Sequence, residues 1–469
     1  MASSEHFVAS QGRSRILRLS PRPLRFNRLD ANGYETVERS LNDWLAHLES
    51  LHPKGQGGIE LGLARVARVK AALGQAQHCP VIVVGGTNGK GSTCAFLEAI
   101  YTAAGYRVGC YTSPHLLVYN ERVRIAAAPI DDVALCAAFA RVEAARRVAG
   151  EQGGEVTLTY FEFGTLAAWE AFAAADVEVA ILEVGLGGRL DAVNVYDADC
   201  AVVTGIALDH TDWLGDTREA IGFEKAGIFR AGKPALCADP EPPASLVAHA
   251  EAIGASLFRI GRDYAAEPAE TGWRWRGPQG RSSDVLPRPG LPGTWQLNNA
   301  ATVHYVVEML AERLPVSPEA FADGLRGAQL TGRFQVLPGR PTVILDVAHN
   351  PQAAHGLVAN LKVQTGFERT LMVVGMLADK DIEGALAAFV GAVDAWFLAA
   401  LEVPRGASAE RLAGALRALG VREPVECCAS PEAALARAAK QAGENDRIVV
   451  CGSFYTVAAA LGAQARVLR

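Results

Sequence analysis

Residues 81–93 restrict the fold of this chain most, because they combine a strand signal, a glycine-rich turn and the start of a helix. The segment reads Val-Ile-Val-Val-Gly-Gly-Thr-Asn-Gly-Lys-Gly-Ser-Thr. Glycines let backbone N–H groups approach phosphate oxygens, the single lysine adds a positive charge, and the N-terminus of the following helix favours anions. We therefore expect the phosphates of a nucleotide to be bound by Thr87, Asn88, Gly89 and Lys90.

The segment departs from the strict P-loop pattern in two places. That pattern has four residues between its first glycine and the Gly-Lys pair, and a Ser or Thr follows the lysine directly. Here Gly85 lies one position too close to Gly89, and Gly91 separates Lys90 from Ser92. The alternative interpretation is a glycine-rich turn with a surface lysine, but the order of strand, turn and helix signals favours a phosphate site.

Apolar runs that alternate with alanine-rich helical stretches predict an α/β fold with parallel sheets. The runs form two sets, one at 81–84, 178–182 and 201–206, and the other at 343–346, 371–374, 396–398 and 448–451. A chain of 469 residues is long enough for two domains. We predict an N-terminal P-loop-type ATPase domain with a parallel sheet and a smaller C-terminal Rossmann-like α/β domain. Between the two sets, 263–295 is predicted to be a small β excursion or a long loop.

The composition excludes some classes of partner. The chain has 45 basic and 51 acidic residues, a net charge of −6, and no basic block beyond the Arg/Pro-rich N-terminus, so we do not expect nucleic-acid binding. No apolar run approaches the ~20 residues of a membrane span, and the first residues lack the charged-then-apolar order of a signal peptide. We therefore predict a cytoplasmic protein without membrane association. The nine cysteines include no Cys-x-x-Cys pair and are expected to be reduced.

Charged residues stand at or beyond the ends of several predicted strands. Glu183 and His210 follow strands of the first set, and Asp346 ends the first strand of the second. Open α/β sheets bind ligands at this edge, and a carboxylate with an imidazole suits magnesium. Plain structural interpretations also exist. Glu183 could be a solvated strand end, His210 a structural histidine, and Asp346 and His349 a helix N-cap and a loop histidine.

The phosphate loop and five further blocks resemble the Mur ligase superfamily, in particular its folate branch of folylpolyglutamate synthases and dihydrofolate synthases. The blocks lie at 111–116, 182–192, 208–211, 224–228 and 346–351. Their order and spacing match the family from about residue 38 to the C-terminus. We accordingly predict a flexible N-terminal extension at 1–36, an ATP-binding Mur ligase central domain at 37–331 and a C-terminal ligase domain at 332–469.

The resemblance implies a metal site for magnesium at Ser113, Glu183 and His210. It also implies that Lys225 is carbamylated, which would make its side chain an anionic ligand of a second magnesium. Taken alone, Lys225 is typical of an exposed helical lysine, and Ser113 is typical of an ordinary turn. A lysine takes up CO₂ only as a neutral amine, so its pKa would have to be lowered by burial or a nearby metal.

The second half of the chain resembles the rest of the family's nucleotide site. Asn299 matches an asparagine on the adenine side, Arg333 an arginine that reaches the phosphates, and Asp346 ends a strand beside them. An arginine suits phosphate because its planar fork binds two oxygens at once. The resemblance therefore implies ATP and Mg²⁺ as cofactors, with two metal sites, and catalytic roles for Lys90, Lys225, Arg333 and His349.

The resemblance also implies a pterin pocket. A carboxylate such as Asp191 can accept two N–H groups of an aminopterin ring, and Phe161 can stack on that ring, although Phe161 could also be an ordinary core aromatic. The implied pterin contacts are Ile59, Glu60, Leu61, Gly62, Thr159, Tyr160, Phe161, Glu162, Leu190, Asp191 and Ala192.

The implied activity is ligation of L-glutamate to dihydropteroate and to tetrahydrofolate (poly)glutamates, through an acyl phosphate made with ATP. These small molecules would be the only partners of a monomer. Three alternatives stay open: a folylpolyglutamate synthase alone, another Mur-type amino-acid ligase, and a nucleotide-binding switch without ligase chemistry. Tyr455 stands where the family usually has a histidine, so no role is transferred to it.

Overall fold

The structure is a computed structural model that describes residues 39–55, 58–293 and 295–467. The extension predicted at 1–36 lies outside these residues and stays a prediction. Two large sheets with helices on their faces dominate the described chain. The predicted α/β class with two domains is therefore confirmed.

The first domain contains an eight-stranded sheet. Its strands are β1 (Val81–Gly85), β2 (Val108–Tyr111), β3 (Val123–Ile125), β4 (Ala128–Pro129), β5 (Val179–Glu183), β6 (Cys200–Val203), β7 (Pro234–Cys237) and β8 (Ser256–Arg259). Their order across the sheet is β4-β3-β2-β5-β1-β6-β7-β8. All neighbours are parallel except at β3 and β4. The apolar runs are buried on both faces, as expected for a parallel sheet covered by helices.

Helices and two short strands complete this domain. The helices are α1 (Leu41–Leu51), α2 (Ala64–Leu73), α3 (Lys90–Ala103), α4 (Asp132–Gly153), α5 (Tyr160–Ala174), α6 (Thr211–Leu214), α7 (Arg218–Ala226), α8 (Ala244–Ile253), α9 (Trp295–Met309) and α10 (Pro318–Gly327). Three single turns of 3₁₀ helix lie at Tyr119–Arg122, Ala192–Val195 and Pro278–Gly280. The β excursion predicted within 263–295 is an antiparallel ribbon of β9 (Ala265–Ala269) and β10 (Gly272–Arg276).

The second domain contains a six-stranded sheet. Its strands are β11 (Gln335–Leu337), β12 (Thr342–Leu345), β13 (Thr370–Val374), β14 (Ala395–Ala399), β15 (Val425–Cys428) and β16 (Arg447–Cys451), in the order β11-β12-β16-β13-β14-β15. Only β11 is antiparallel to its neighbour. The helices are α11 (Pro351–Val363), α12 (Ile382–Ala387), α13 (Ala409–Ala418), α14 (Pro431–Gln441) and α15 (Phe454–Val467). Residue 332 lies between α10 and β11, and the domain boundary placed there stays a prediction.

The register of the first sheet places two sequence motifs side by side. Val84, just before the glycine-rich turn, is paired with Glu183 at the end of β5. Gly85 is paired with Val203 at the end of β6. Because parallel strands end at one edge, the loops that carry the predicted phosphate and metal residues emerge together.

Two further expectations concern the chemistry of the chain. All nine cysteines are free thiols in the structure, and most are buried. Within the described ranges, none of the helices has both the length and the apolar character that crossing a bilayer requires.

Candidate active site

A cleft of about 1700 Å³ lies between the two domains. Its walls include the loops that follow β1, β5 and β6 and the N-terminal ends of α11 and α15. The cleft brings together most of the predicted nucleotide, metal and catalytic residues, namely Thr87, Asn88, Gly89, Lys90, Ser113, Glu183, His210, Lys225, Asn299, Arg333, Asp346 and His349.

The glycine-rich turn forms a tight loop that leads into α3. Gly86 has φ +140° and leaves no room for a Cβ beside Thr204, so glycine is required there. Gly89, at φ +93°, precedes the first residue of α3. Lys90 Nζ donates to the carbonyl oxygens of Gly86 (3.1 Å) and Thr87 (3.2 Å). The loop therefore presents a lysine and the free N–H groups of a helix N-terminus to the cleft.

The predicted metal ligands Glu183 and Ser113 lie next to each other. The Glu183 side chain is 5% exposed, and its Oε2 accepts a hydrogen bond from Ser113 N at 3.0 Å. Burial raises the pKa of Glu183, while the positive charge of Lys90 opposes that shift. A buried carboxylate is costly unless a cation or hydrogen-bond donors compensate its charge, so the Glu183 carboxylate suits a cation.

His210, the third residue of the predicted magnesium donor set, also lines the cleft. It has a left-handed backbone (φ +54°) just before α6, and burial lowers the pKa of its imidazole to about 4. The ring is therefore neutral at pH 7, as a metal ligand must be. Over the described parts of the chain, no three His, Cys, Asp or Glu side chains converge on a common point. Magnesium usually takes one or two carboxylates together with phosphate and water oxygens, so the set fits when a hydroxyl and phosphates contribute.

Lys225 is buried, and its interpretation as an exposed helical lysine is wrong. The residue is 4% exposed in α7, and its Nζ donates to the carbonyl oxygen of Gly86 at 2.9 Å. Burial, aided by the charge of Lys90, lowers the pKa of Lys225 to about 7. Much of the amine is thus neutral near pH 7, which meets the requirement for uptake of CO₂.

The second domain contributes an arginine and a loop histidine to the cleft. The guanidinium of Arg333 lies 5.2 Å from the centre of the Phe454 ring, and burial lowers its pKa. Asp346 accepts backbone hydrogen bonds from Phe334 and Ala348, both at 2.8 Å, so it also shapes its own loop. His349 Nδ1 lies 2.8 Å from the carbonyl oxygen of Val347. Half-exposed Tyr455 lines the same cleft.

Asp209 has a side chain that is only 8% exposed, and no role was predicted for it from the sequence. Its Oδ1 accepts from Lys380 Nζ at 2.6 Å, and its Oδ2 lies 3.6 Å from His349 Nε2. Burial alone would raise the pKa of Asp209, but the hydrogen bond with His349 and the positive charge of Lys380 lower it. Asp209 belongs to a block that was identified in the sequence, whereas Lys380 follows β13 without any distinctive signal.

Asn88 and Asn299 are both predicted to bind the nucleotide, but in the structure their side chains contact other parts of the protein. The side chain of Asn88 donates to Asn350 Oδ1 (3.1 Å) and Gln352 Oε1 (2.6 Å), both in the second domain. Buried Asn299 packs against the phosphate loop, because a Cβ added at Gly89 would lie 3.1 Å from its Oδ1. An adenine contact of Asn299 stays a prediction.

The three predicted pterin segments come together beside the cleft. Gly62 N donates to the carbonyl oxygen of Leu190 at 3.2 Å. Arg65 forms ion pairs with both Glu60 and Glu162, the second at 2.9 Å. Tyr160 at the start of α5 lines the cleft itself. The loop at 59–62, the start of α5 and the segment at 190–192 are thus one structural unit, in which Ile59 and Leu61 are half-buried and Ala192 is buried.

Several predicted pterin residues also have structural partners. The carboxylate of Asp191 accepts from Leu186 N (2.9 Å) and Val193 N (3.0 Å), and burial raises its pKa to about 7. Thr159 and Glu162 form the capping box of α5. The Phe161 ring is close to Gly185, where a Cβ would lie 2.7 Å from its Cζ. Direct contacts of these residues with a pterin stay predictions.

Two protein-family models match the chain. The Mur ligase middle domain matches residues 84–268, and the Mur ligase glutamate ligase domain matches residues 332–454. The chain is also 48% identical over 420 residues to dihydrofolate synthase/folylpolyglutamate synthase of Escherichia coli (strain K12), covering 89% of this chain and 94% of that protein.

Solved structures show the same similarity. Escherichia coli FolC in complex with DHPP and ADP has a TM-score of 0.84 and 46% identity, covering 92% of this chain and 99% of that one. A bifunctional folylpolyglutamate synthase/dihydrofolate synthase with Mn, AMPPNP and L-glutamate bound has a TM-score of 0.81 and 46% identity, covering 91% and 98%.

Proposed function

Because this chain belongs to the dihydrofolate synthase/folylpolyglutamate synthase family of Mur ligases, we propose that its interdomain cleft is the active site and that the residues described above perform the reaction. The chain is an ATP-dependent acid–amino-acid ligase of folate synthesis that uses a divalent metal. It joins L-glutamate to dihydropteroate, forming dihydrofolate, and to tetrahydrofolate (poly)glutamates.

One observation supports the assignment of these residues to an active site. The phosphate loop and Glu183 of the first domain line the same cleft as Arg333, Asp346 and His349 of the second. A ligase must hold a nucleotide, a carboxylate and an amine within bonding distance, and a cleft with walls from two domains can do so while excluding water.

The first step joins the substrate carboxylate to the terminal phosphate. A carboxylate oxygen attacks the γ-phosphorus of ATP, the bond to the β-phosphate oxygen breaks, and ADP leaves. Lys90, Arg333 and the N–H groups at the start of α3 would stabilise the charge on the transferring group. Lys90 donates to two backbone carbonyl oxygens, and Arg333 lies near the charges of Asp346 and Glu183. Both cations line the cleft in which the nucleotide would bind.

The second step forms the amide. The neutral amine of L-glutamate attacks the acyl carbon, the bond from that carbon to the phosphate oxygen breaks, and the proton lost by the nitrogen passes to the departing phosphate. His349 lies between two acceptors, the carbonyl oxygen of Val347 and the carboxylate of Asp209. These two contacts would fix the orientation of the His349 ring, which we propose to lie beside the departing phosphate.

The residues that would hold magnesium are Ser113, Glu183 and His210, with carbamylated Lys225 at a second site. When bound, the metal supplies positive charge that neutralises phosphate oxygens. The burial of Glu183, the neutral His210 ring and the pKa of about 7 at Lys225 support these assignments.

We propose that the unit formed by 59–62, the start of α5 and 190–192 binds the pterin, with Asp191 and Phe161 as its recognition residues. The test compares purified parent enzyme with Asp191→Ala, using labelled glutamate with either dihydropteroate or tetrahydrofolate. Asp191→Ala should lose use of dihydropteroate while its affinity for ADP stays at the parent value, because the phosphate loop is untouched. A parent enzyme that extends tetrahydrofolate but never consumes dihydropteroate would refute the pterin assignment.

ADP release from the parent enzyme tests the ligase reaction itself. Release should require both glutamate and a pterin, whereas a nucleotide switch would hydrolyse ATP slowly with or without them. We further propose that the enzyme works in the cytoplasm as a monomer. A molar mass near the 49.6 kDa of the chain, measured by light scattering, is the expected result.

A further inference from the structure

Asn88 and Asn350 face each other across the cleft and form a reciprocal amide pair. Asn88 Nδ2 donates to Asn350 Oδ1 at 3.1 Å, and Asn350 Nδ2 donates to Asn88 Oδ1 at 3.1 Å. Asn88 belongs to the phosphate loop, and Asn350 is the N-cap of α11 in the second domain. Asn350 is 3% exposed, so water does not readily replace its partner.

Further hydrogen bonds fix both amides. Gln352 Oε1 accepts from Asn88 Nδ2 at 2.6 Å, and Asn350 Oδ1 accepts from Ala353 N at 3.0 Å as the cap of α11. The backbone of Asn88 is also held, because Thr204 Oγ1 donates to its carbonyl oxygen at 2.7 Å. Both the nitrogen and the oxygen of the Asn88 amide are thus used in hydrogen bonds with the second domain.

We propose that Asn88 and Asn350 are positioning residues that clamp the phosphate loop to the second domain. The inference rests on the proposed function, since the clamp sets where a bound nucleotide lies relative to Arg333 and His349. Asn350 Nδ2 also lies 3.3 Å from Asp209 Oδ2, so the clamp joins the phosphate loop to the acidic residue beside His349.

An amide pair suits this task because it is neutral and directional. Each amide offers one donor and one acceptor to the other, so both domains must meet in a single register. Loss of one amide removes two hydrogen bonds between the domains and leaves the other amide with one partner fewer for its N–H groups and one fewer for its oxygen, which disfavours the closed arrangement.

The test uses Asn88→Ala, Asn350→Ser and the double variant. Serine keeps the N-cap of α11 but is too short to reach Asn88. Asn445→Ala is the matched control, because Asn445 also uses its amide in a hydrogen bond, to Glu368 within the second domain. The measurements are kcat, KM for ATP, the Kd of ADP, and hydrogen–deuterium exchange of peptides covering 84–93 and 346–356.

Each single variant should lower kcat at least tenfold and change the Kd of ADP less than twofold. The kcat of the double variant should be no lower than that of the less active single variant, because both substitutions break the same amide pair. Exchange should rise in the two named segments and stay at the parent level elsewhere, whereas Asn445→Ala should match the parent in kcat. Exchange is measured without turnover, so it tests the clamp even if the parent proves not to be a ligase.

Three results would overturn the clamp. The first is a tenfold rise in the Kd of ADP with unchanged kcat, which would make Asn88 a nucleotide contact. The second is a double variant whose fold-reduction in kcat equals the product of the fold-reductions of the two single variants. The third is exchange that stays at the parent level in both segments.

Discussion

Lys90 and Lys225 direct their amines at the same carbonyl oxygen, that of Gly86, at 3.1 and 2.9 Å. Two positively charged amines next to the same oxygen repel each other, and burial further disfavours the charged form of Lys225. Both effects lower the pKa of Lys225, to about 7. The arrangement is favourable when Lys225 is neutral or carries the negative charge of a carbamate. The two lysines therefore differ in their electrostatics although they share an acceptor.

Lys90→Ala should lower kcat by about 10²- to 10⁴-fold, because one preorganised cation contributes several kcal/mol to the transition state and ~1.4 kcal/mol is tenfold in rate. Thermal unfolding should stay close to that of the parent. Lys440→Ala, at an exposed position of α14, is the control and should be fully active. Ligation by Lys90→Ala at a near-normal rate would contradict the assignment of the phosphate loop.

Lys225→Ala should lose metal-dependent activity, and short carboxylic acids should restore part of it, because the missing group is an anionic oxygen. In the parent, removal of CO₂ should reduce activity. Restoration by bicarbonate should be faster at pH 8 than at pH 6, since an amine with a pKa of about 7 is mostly neutral only above pH 7. If Lys225→Ala retained parent activity, the carbamate would be excluded.

The N-terminus of helix α5 is linked to the loop at 59–62 through the side chain of Glu162. Glu162 accepts from Thr159 N at 2.8 Å within the capping box and pairs with Arg65, which also pairs with Glu60. The carboxylate of Glu162 thus stabilises the start of the helix and, through Arg65, holds the loop at 59–62 against it. This is an indirect role, in contrast to the direct pterin contact implied by the resemblance.

Glu162→Ala should cost about 1–3 kcal/mol of unfolding free energy, through the lost cap and the broken buried pair. It should raise KM for dihydropteroate more than KM for ATP. The control is Glu170→Ala in the same helix, because Glu170 is equally buried and pairs with Arg141 at 2.8 Å, away from the loop. Equal effects of both variants on KM for dihydropteroate would show that α5 does not position the loop through Glu162.

Across the whole molecule, the cleft takes its walls from both sheets, so a bound nucleotide should stabilise both domains. ADP with Mg²⁺ at about 100 times its Kd should add about 2.7 kcal/mol to the unfolding free energy. Calorimetry should show the whole transition moving to higher temperature. A shift confined to one of two resolved transitions would mean that the nucleotide contacts a single domain.

Several features could be predicted from the sequence because they depend on neighbours along the chain. Apolar runs between helical stretches predicted the parallel strands, and glycines with one lysine between a strand and a helix predicted the phosphate loop. Parallel strands end at one edge, so Glu183 and His210 were expected near that loop, and both line the cleft. These inferences need only local periodicity and chain direction.

Other features depend on contacts between residues far apart in the chain, and no local pattern contains them. Lys225 is buried because its amine reaches Gly86, 139 residues away, and Asp209 meets Lys380 across 171 residues. The amide pair of Asn88 and Asn350 spans 262 residues. Packing of α7 against the phosphate loop within the first domain makes the first contact, and packing of the two domains against each other makes the other two. The burial and the pKa shifts come with these contacts. A linear pattern can indicate that Asn88 belongs to a phosphate loop, but the direction of its amide depends on what the second domain places opposite it.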